Sequence, residues 1–81
     1  MASRQDLPGW VLSAIKANKG QASILAVAKH IWKHHQAELE GSIPLFYTWQ
    51  YDMRWAALTL RKRGLLKPAD QSRRGVWELP D

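Results

Sequence analysis

The chain has 81 residues, 46% of them hydrophobic, with five tryptophans and a formal charge of +5. That length holds one compact domain, residues 1–81 with an ordered core expected over about 7–80, and leaves no room for a second. With no cysteine, a disulfide framework and a thiolate zinc site are both excluded, so packing alone must hold the fold.

Residues 1–7 are polar and lack the apolar core of a signal peptide. The longest unbroken apolar run, residues 24–28, falls far short of a bilayer span. A soluble, cytoplasmic protein with no membrane partner is therefore expected.

Helical periodicity begins at residues 7–19, where Trp10, Val11, Ala14 and Ile15 share one face. Asp6 is positioned to cap this helix, Pro8 suits its first turn, and Gly20 ends it. Residues 21–23 read as a short edge strand. Ser23 then caps a second helix running to about His35, with Ile24, Val27, Ala28, Ile31 and Trp32 inward and Lys29, Lys33 and His34 towards water. Residues 35–47 hold Glu38, Glu40, Gly41 and Pro44 and read as a connection.

Thr48 is the expected cap of a third helix over 49–63, ended by Gly64. Residues 65–69 and 76–79 read as two strands joined by the polar tip 70–75. The expected class is mainly α with a small β-hairpin. Its order of helix, strand, helix, helix, strand, basic tip and strand is that of a winged helix-turn-helix.

Charge is unevenly placed along this order. Residues 53–75 hold seven basic side chains against Asp70 alone, a net of +6, while the remainder nets −1. Such a local field attracts polyanions, although a basic face also serves solubility.

In the third helix Met53, Ala56, Ala57 and Leu60 form the stripe expected to be buried, with Tyr51, Arg54, Trp55 and Leu58 opposite. Arg54 and Gln50 carry the groups that read guanine and adenine edges; the alternatives are a surface Arg54 paired with Asp52 or Glu78, and for Gln50 simple solvent exposure, the commoner fate. Thr48 and Tyr51 can hold phosphates near the helix start. Arg61, Lys62 and Lys67 are further phosphate candidates, with Arg63 beside them. Arg73 and Arg74 at the tip can straddle a phosphate backbone or enter a narrow minor groove. Trp55 and Leu58 either pack under the hairpin or stay exposed, and the core is the commoner place for a helical tryptophan.

Three segments carry a family resemblance. They are Met53-Arg54-Trp55-Ala56 with Leu60, then Gly64-Leu65-Leu66, and finally Arg73-Arg74-Gly75-Val76-Trp77-Glu78-Leu79. Over residues 47–79 the chain resembles the N-terminal winged-helix domain of Mrr-type restriction proteins, a family that places such a domain ahead of a nuclease that cuts modified DNA. The resemblance implies packing roles for Met53, Ala56, Leu60, Leu65 and Leu66, a place at the start of a recognition helix for Arg54, and a wing built on Arg73 and Arg74. There is no room here for a nuclease, and Asp70-Gln71-Ser72 lengthens the wing tip, so only the DNA-recognition part of a restriction or regulatory system is implied.

Catalysis finds no support in the sequence. His30 and His34 lie one helical turn apart, but a metal site needs a third ligand, and Glu38 and Glu40 have no recognisable spacing to them. No serine sits in a nucleophile elbow, and the seven carboxylates are scattered. The expectation is a non-enzymatic module without metal or cofactor that binds double-stranded DNA. The alternative is a winged helix that contacts a protein, or a second copy of itself, through exposed Trp55 and Leu58; fold alone does not separate the two.

Overall fold

A computed structural model describes residues 2–80; the ends of the expected 1–81 domain, Met1 and Asp81, lie outside the described residues. Among those described, the chain is mainly helical: α1 (Leu7–Ala17), β1 (Gln21–Ser23), α2 (Ile24–Glu40), α3 (Ile43–Lys62) and β2 (Val76–Glu78). Single 3-10 turns at Arg4–Asp6 and Ala69–Gln71 complete the order.

Helix α1 follows its sequence pattern. Leu7, Val11, Ala14 and Ile15 are buried at helical spacing, and Pro8 sits in the first turn, where a missing N–H costs nothing. The expected Asp6 cap is not made. Its carboxylate instead accepts the Ser3 N–H at 2.9 Å, closing the preceding 3-10 turn and bringing the buried Ala2 onto the core. At the far end Lys19 (φ 64°) and Gly20 (φ 98°) are both left-handed, and the Gly20 N–H returns to the Ile15 carbonyl at 3.0 Å. This corner turns the chain into β1.

The two strands pair antiparallel, with Gln21 opposite Glu78, Ala22 opposite Trp77 and Ser23 opposite Val76. Ala22 and Trp77 face the core together. The strand expected over 65–69 does not form. Pro68 has no N–H to offer a ladder, and the chain passes straight into the 3-10 turn. One backbone bond, from the Lys67 N–H to the Glu78 carbonyl at 2.9 Å, ties this segment to β2. The expected hairpin is thus a loop over 64–75, and β2 takes β1 as its ladder partner. Leu66 is buried beneath the loop, but Leu65, for which the resemblance implied packing, is exposed.

Helix α2 begins where expected, the Ser23 Oγ accepting the Ala26 N–H at 3.1 Å. Val27 and Ile31 are buried, whereas Ile24, Ala28 and Trp32 lie half-buried at the core margin. The helix does not stop at His35. That residue leaves helical geometry (φ −129°, ψ 16°), and the helix resumes as far as Glu40, burying Leu39. Gly41 and Ser42 are all that remains of the connection expected over 35–47.

Helix α3 therefore starts at Ile43, with Pro44 in its first turn. Thr48 is consequently not a cap but lies inside the helix, its hydroxyl 3.2 Å from the Pro44 carbonyl and 2.7 Å from Asp52 Oδ2. The face formed by Leu45, Trp49, Met53, Ala56, Ala57 and Leu60 packs against α1 and α2. Trp49 stacks with Trp32 at 6.2 Å between ring centroids. No helix among the described residues is long and apolar enough to cross a membrane.

Candidate nucleic-acid interface

The Ser23 cap fixes where α2 starts, and the frame of α3 turns Gln50, Tyr51 and Arg54 towards that start. These three side chains, with Ile24, Leu25 and Ala28, line a groove of about 470 Å³ between the two helices. An adjoining groove shares Leu25, Ala28 and Gln50 and adds Lys29, Trp32 and Phe46. Arg54 is exposed and forms no ion pair among the described residues.

On the other side of the α2 start lies the arginine tip. It is a four-residue turn, closed by the Val76 N–H on the Arg73 carbonyl at 3.0 Å, with Gly75 left-handed (φ 78°) at its third position. The Gly75 carbonyl accepts the Ile24 N–H at 2.9 Å, so the turn is tied to the first residue of α2. Arg73 lies beside Asn18, Gln21, Ser23 and Ala26. Arg74 is exposed at the turn. The N-terminus of α2, which carries partial positive charge, is thus flanked by Arg54 on one side and by Arg73 on the other.

Among the described residues no carboxylate lines either groove or the cleft at Arg73. Asp52 sits two residues beyond Gln50, about 200° round the helix, and is only 8% exposed. It is held there by Thr48 and by Arg4, whose Nε is 3.5 Å away. Glu78 pairs with Lys67 at 3.4 Å, and Glu38 with His35 at 2.8 Å.

These contacts divide the nine expected site residues. Gln50, Tyr51 and Arg54 share one groove, and Arg73 and Arg74 lie across the α2 start from it. Lys62 is exposed near the end of α3. Arg61 and Lys67 are engaged internally, because Arg61 Nε donates to the Lys67 carbonyl at 3.1 Å and the Lys67 ammonium faces Glu78. Thr48 points to the far flank, towards Asp52, and does not join the groove.

Sequence reasoning did not place Leu25 in this site, although it borders both grooves and is 64% exposed. The signal was the Ser23 cap, which sets Leu25 one residue beyond the inward-facing Ile24. Tyr47 (77% exposed) was also missed; it precedes Arg54 by seven residues, two turns of the same face. Trp55 departs from the core position expected of it. It remains 38% exposed, and the Arg4 guanidinium lies 3.9 Å from its ring centroid.

His30 and His34 are adjacent, with ring centroids 4.3 Å apart. Burial, and then the nearby His34, His35 and Lys33, hold the His30 pKa below the usual histidine value. His35 stacks on Trp10 at 3.9 Å. Among the described residues no group of three or more His, Cys, Asp or Glu side chains is gathered to hold a metal ion. No protein-family model, curated protein or solved structure matches the chain.

Proposed function

We propose that this chain is a non-enzymatic, winged-helix module that binds double-stranded DNA. The observation that carries the reading is the bracketing of the α2 N-terminus by Arg54 and the Arg73-Arg74 turn, on surfaces that no carboxylate among the described residues lines. Cations and helix-terminal amides directed to one edge suit a phosphate backbone. The outer face of α3, with Gln50 and Arg54 one turn apart, then enters the major groove, and the loop over 64–75 serves as the wing on the backbone or in the minor groove. The order helix, strand, helix, helix, loop, strand supports this reading. The resemblance to the N-terminal domain of Mrr-type restriction proteins extends it to the recognition part of a restriction or regulatory system.

A ¹⁵N–¹H NMR titration with a mixed-sequence duplex at low salt tests the proposal. Shifts are expected at residues 24–29, 50–54 and 73–76, reversed by added salt. Four to six phosphate contacts give a log–log salt slope of roughly −4 to −5. An unchanged spectrum at low salt overturns the reading.

One observation favours a second reading. Leu58 (50% exposed), Tyr47 and Tyr51 (75%) leave a broad apolar strip on the outer side of α3. A protein partner, or a second copy of the chain, would cover such a strip. That reading gains if DNA leaves the spectrum untouched.

A further inference from the structure

The groove between α2 and α3 combines two chemistries. Ile24, Ala28 and Met53 make its walls apolar, while Gln50 and Arg54 stand at its edge with hydrogen-bond donors. Leu25, the second residue of α2, borders it with most of its side chain in water. No packing role accounts for a leucine placed there, and alanine would serve the helix as well.

An A·T pair presents a matching row in the major groove: the adenine N7 and N6 amino group, the thymine O4, and then the thymine C5-methyl. Glutamine addresses the adenine end of that row, and an apolar side chain addresses the methyl end. Gln50 and Leu25 occupy the same groove and supply these two groups. Arg54 follows Gln50 by one helical turn, about 6 Å along the axis. Stacked bases are about 3.4 Å apart, so the two side chains address pairs one to two steps apart.

Resting on the duplex-binding reading, we infer that this groove reads sequence: Leu25 selects thymine by its C5-methyl group, Gln50 the adenine paired with it, and Arg54 a guanine one or two steps away. Leu25 is thereby a specificity residue, and the exposed leucine acquires a function that neither folding nor phosphate contact requires of it.

The test begins with enrichment of a randomised duplex pool on the wild-type domain, followed by fluorescence anisotropy on the enriched duplex with each thymine replaced in turn by uracil, which lacks only the methyl group. At one position uracil is expected to weaken wild-type binding about four-fold, the worth of one buried methyl. Leu25→Ala should bind the thymine and uracil duplexes equally. Arg54→Ala should keep the thymine preference while losing the guanine. Both side chains are exposed, so neither change threatens folding.

Equal wild-type affinity for thymine and uracil at every position overturns the inference, as does a thymine preference that survives in Leu25→Ala. Enrichment of no sequence, with duplex still bound, also overturns it while leaving DNA binding intact. Failure to bind any duplex at low salt removes the underlying reading as well.

Discussion

Arg4 spreads its guanidinium over the indole of Trp55 at 3.9 Å from the ring centroid and reaches Asp52 with the same group at 3.5 Å. One side chain thereby shields a tryptophan that the core does not enclose and balances a carboxylate that is almost wholly covered. Arg4→Ala removes both contacts. A loss of about 1 kcal/mol is expected from the cation–π contact, or roughly 4–8 °C in Tm for a domain of this size. Thermal unfolding followed by circular dichroism checks this. Duplex affinity should be unchanged, since Arg4 lies on the Asp52 flank of α3.

Leu39 is fully buried although it follows the break at His35. Its side chain anchors the last turn of α2 and with it the two-residue passage into α3. Leu39→Ala should cost about 2–5 kcal/mol, measurable as a lower urea midpoint. Hydrogen exchange should quicken first at residues 36–44. Uniform loss of protection along the chain would mean that this turn is not a separate anchor.

The arginine turn offers a cleaner test of contact with DNA than of stability. Arg73 and Arg74 are exposed, so replacing both by alanine should leave the unfolding transition in place. Binding should weaken on all duplexes alike, and the log–log salt slope should flatten by about 2 at ~0.9 per phosphate contact. An unaltered slope would show that the turn touches no phosphate.

His30 predicts the response to acid. Its folded pKa is held below the usual 6.5, first by burial and then by His34, His35 and Lys33. The unfolded chain therefore binds a proton at His30 more readily than the folded one. Its contribution to stability is present above pH 6.5 and is lost as the pH falls through that value and then through the lower folded pKa. Urea midpoints should fall between pH 7.5 and 5, and His30→Gln should reduce that fall.

Helix boundaries set by a local chemical stop were legible before any coordinates. Gly20, the Ser23 cap and Gly64 all act where the sequence places them, and the buried stripe Met53, Ala56, Ala57 and Leu60 follows from spacing alone. The start of α3 was hidden because Gly41 and Pro44 ordinarily break helices. Here Gly41 does end α2, as its C-cap, but only Ser42 separates it from α3, whose first turn accommodates Pro44. Asp6 stands at the N-cap of α1 as placed, but its carboxylate goes to the Ser3 N–H, a competition that sequence does not rank; Thr48 lies inside α3 because the helix starts at Ile43.

Part of the candidate site was equally legible. Gln50, Tyr51 and Arg54 share a face by periodicity, and the tip arginines stand out by composition. The internal engagement of Arg61 and Lys67 depends on how the loop returns to β2, which no local pattern specifies. Leu25 falls outside the inward set of α2 by periodicity, but that it borders a groove with Gln50 and Arg54 depends on how α2 and α3 meet, which no local pattern specifies.

The pairing of β1 with β2 brings residues 21–23 against 76–78, with about fifty residues between them. Closing so large a loop carries an entropic cost that the intervening helices must first reduce by condensing. In chain order α1, β1, α2 and α3 are all made before the partner of β1. Until Trp77 arrives, the core face at Ala22 stays open to water. The ladder is therefore a late clasp, and a nascent chain is at its most adhesive just before it fastens.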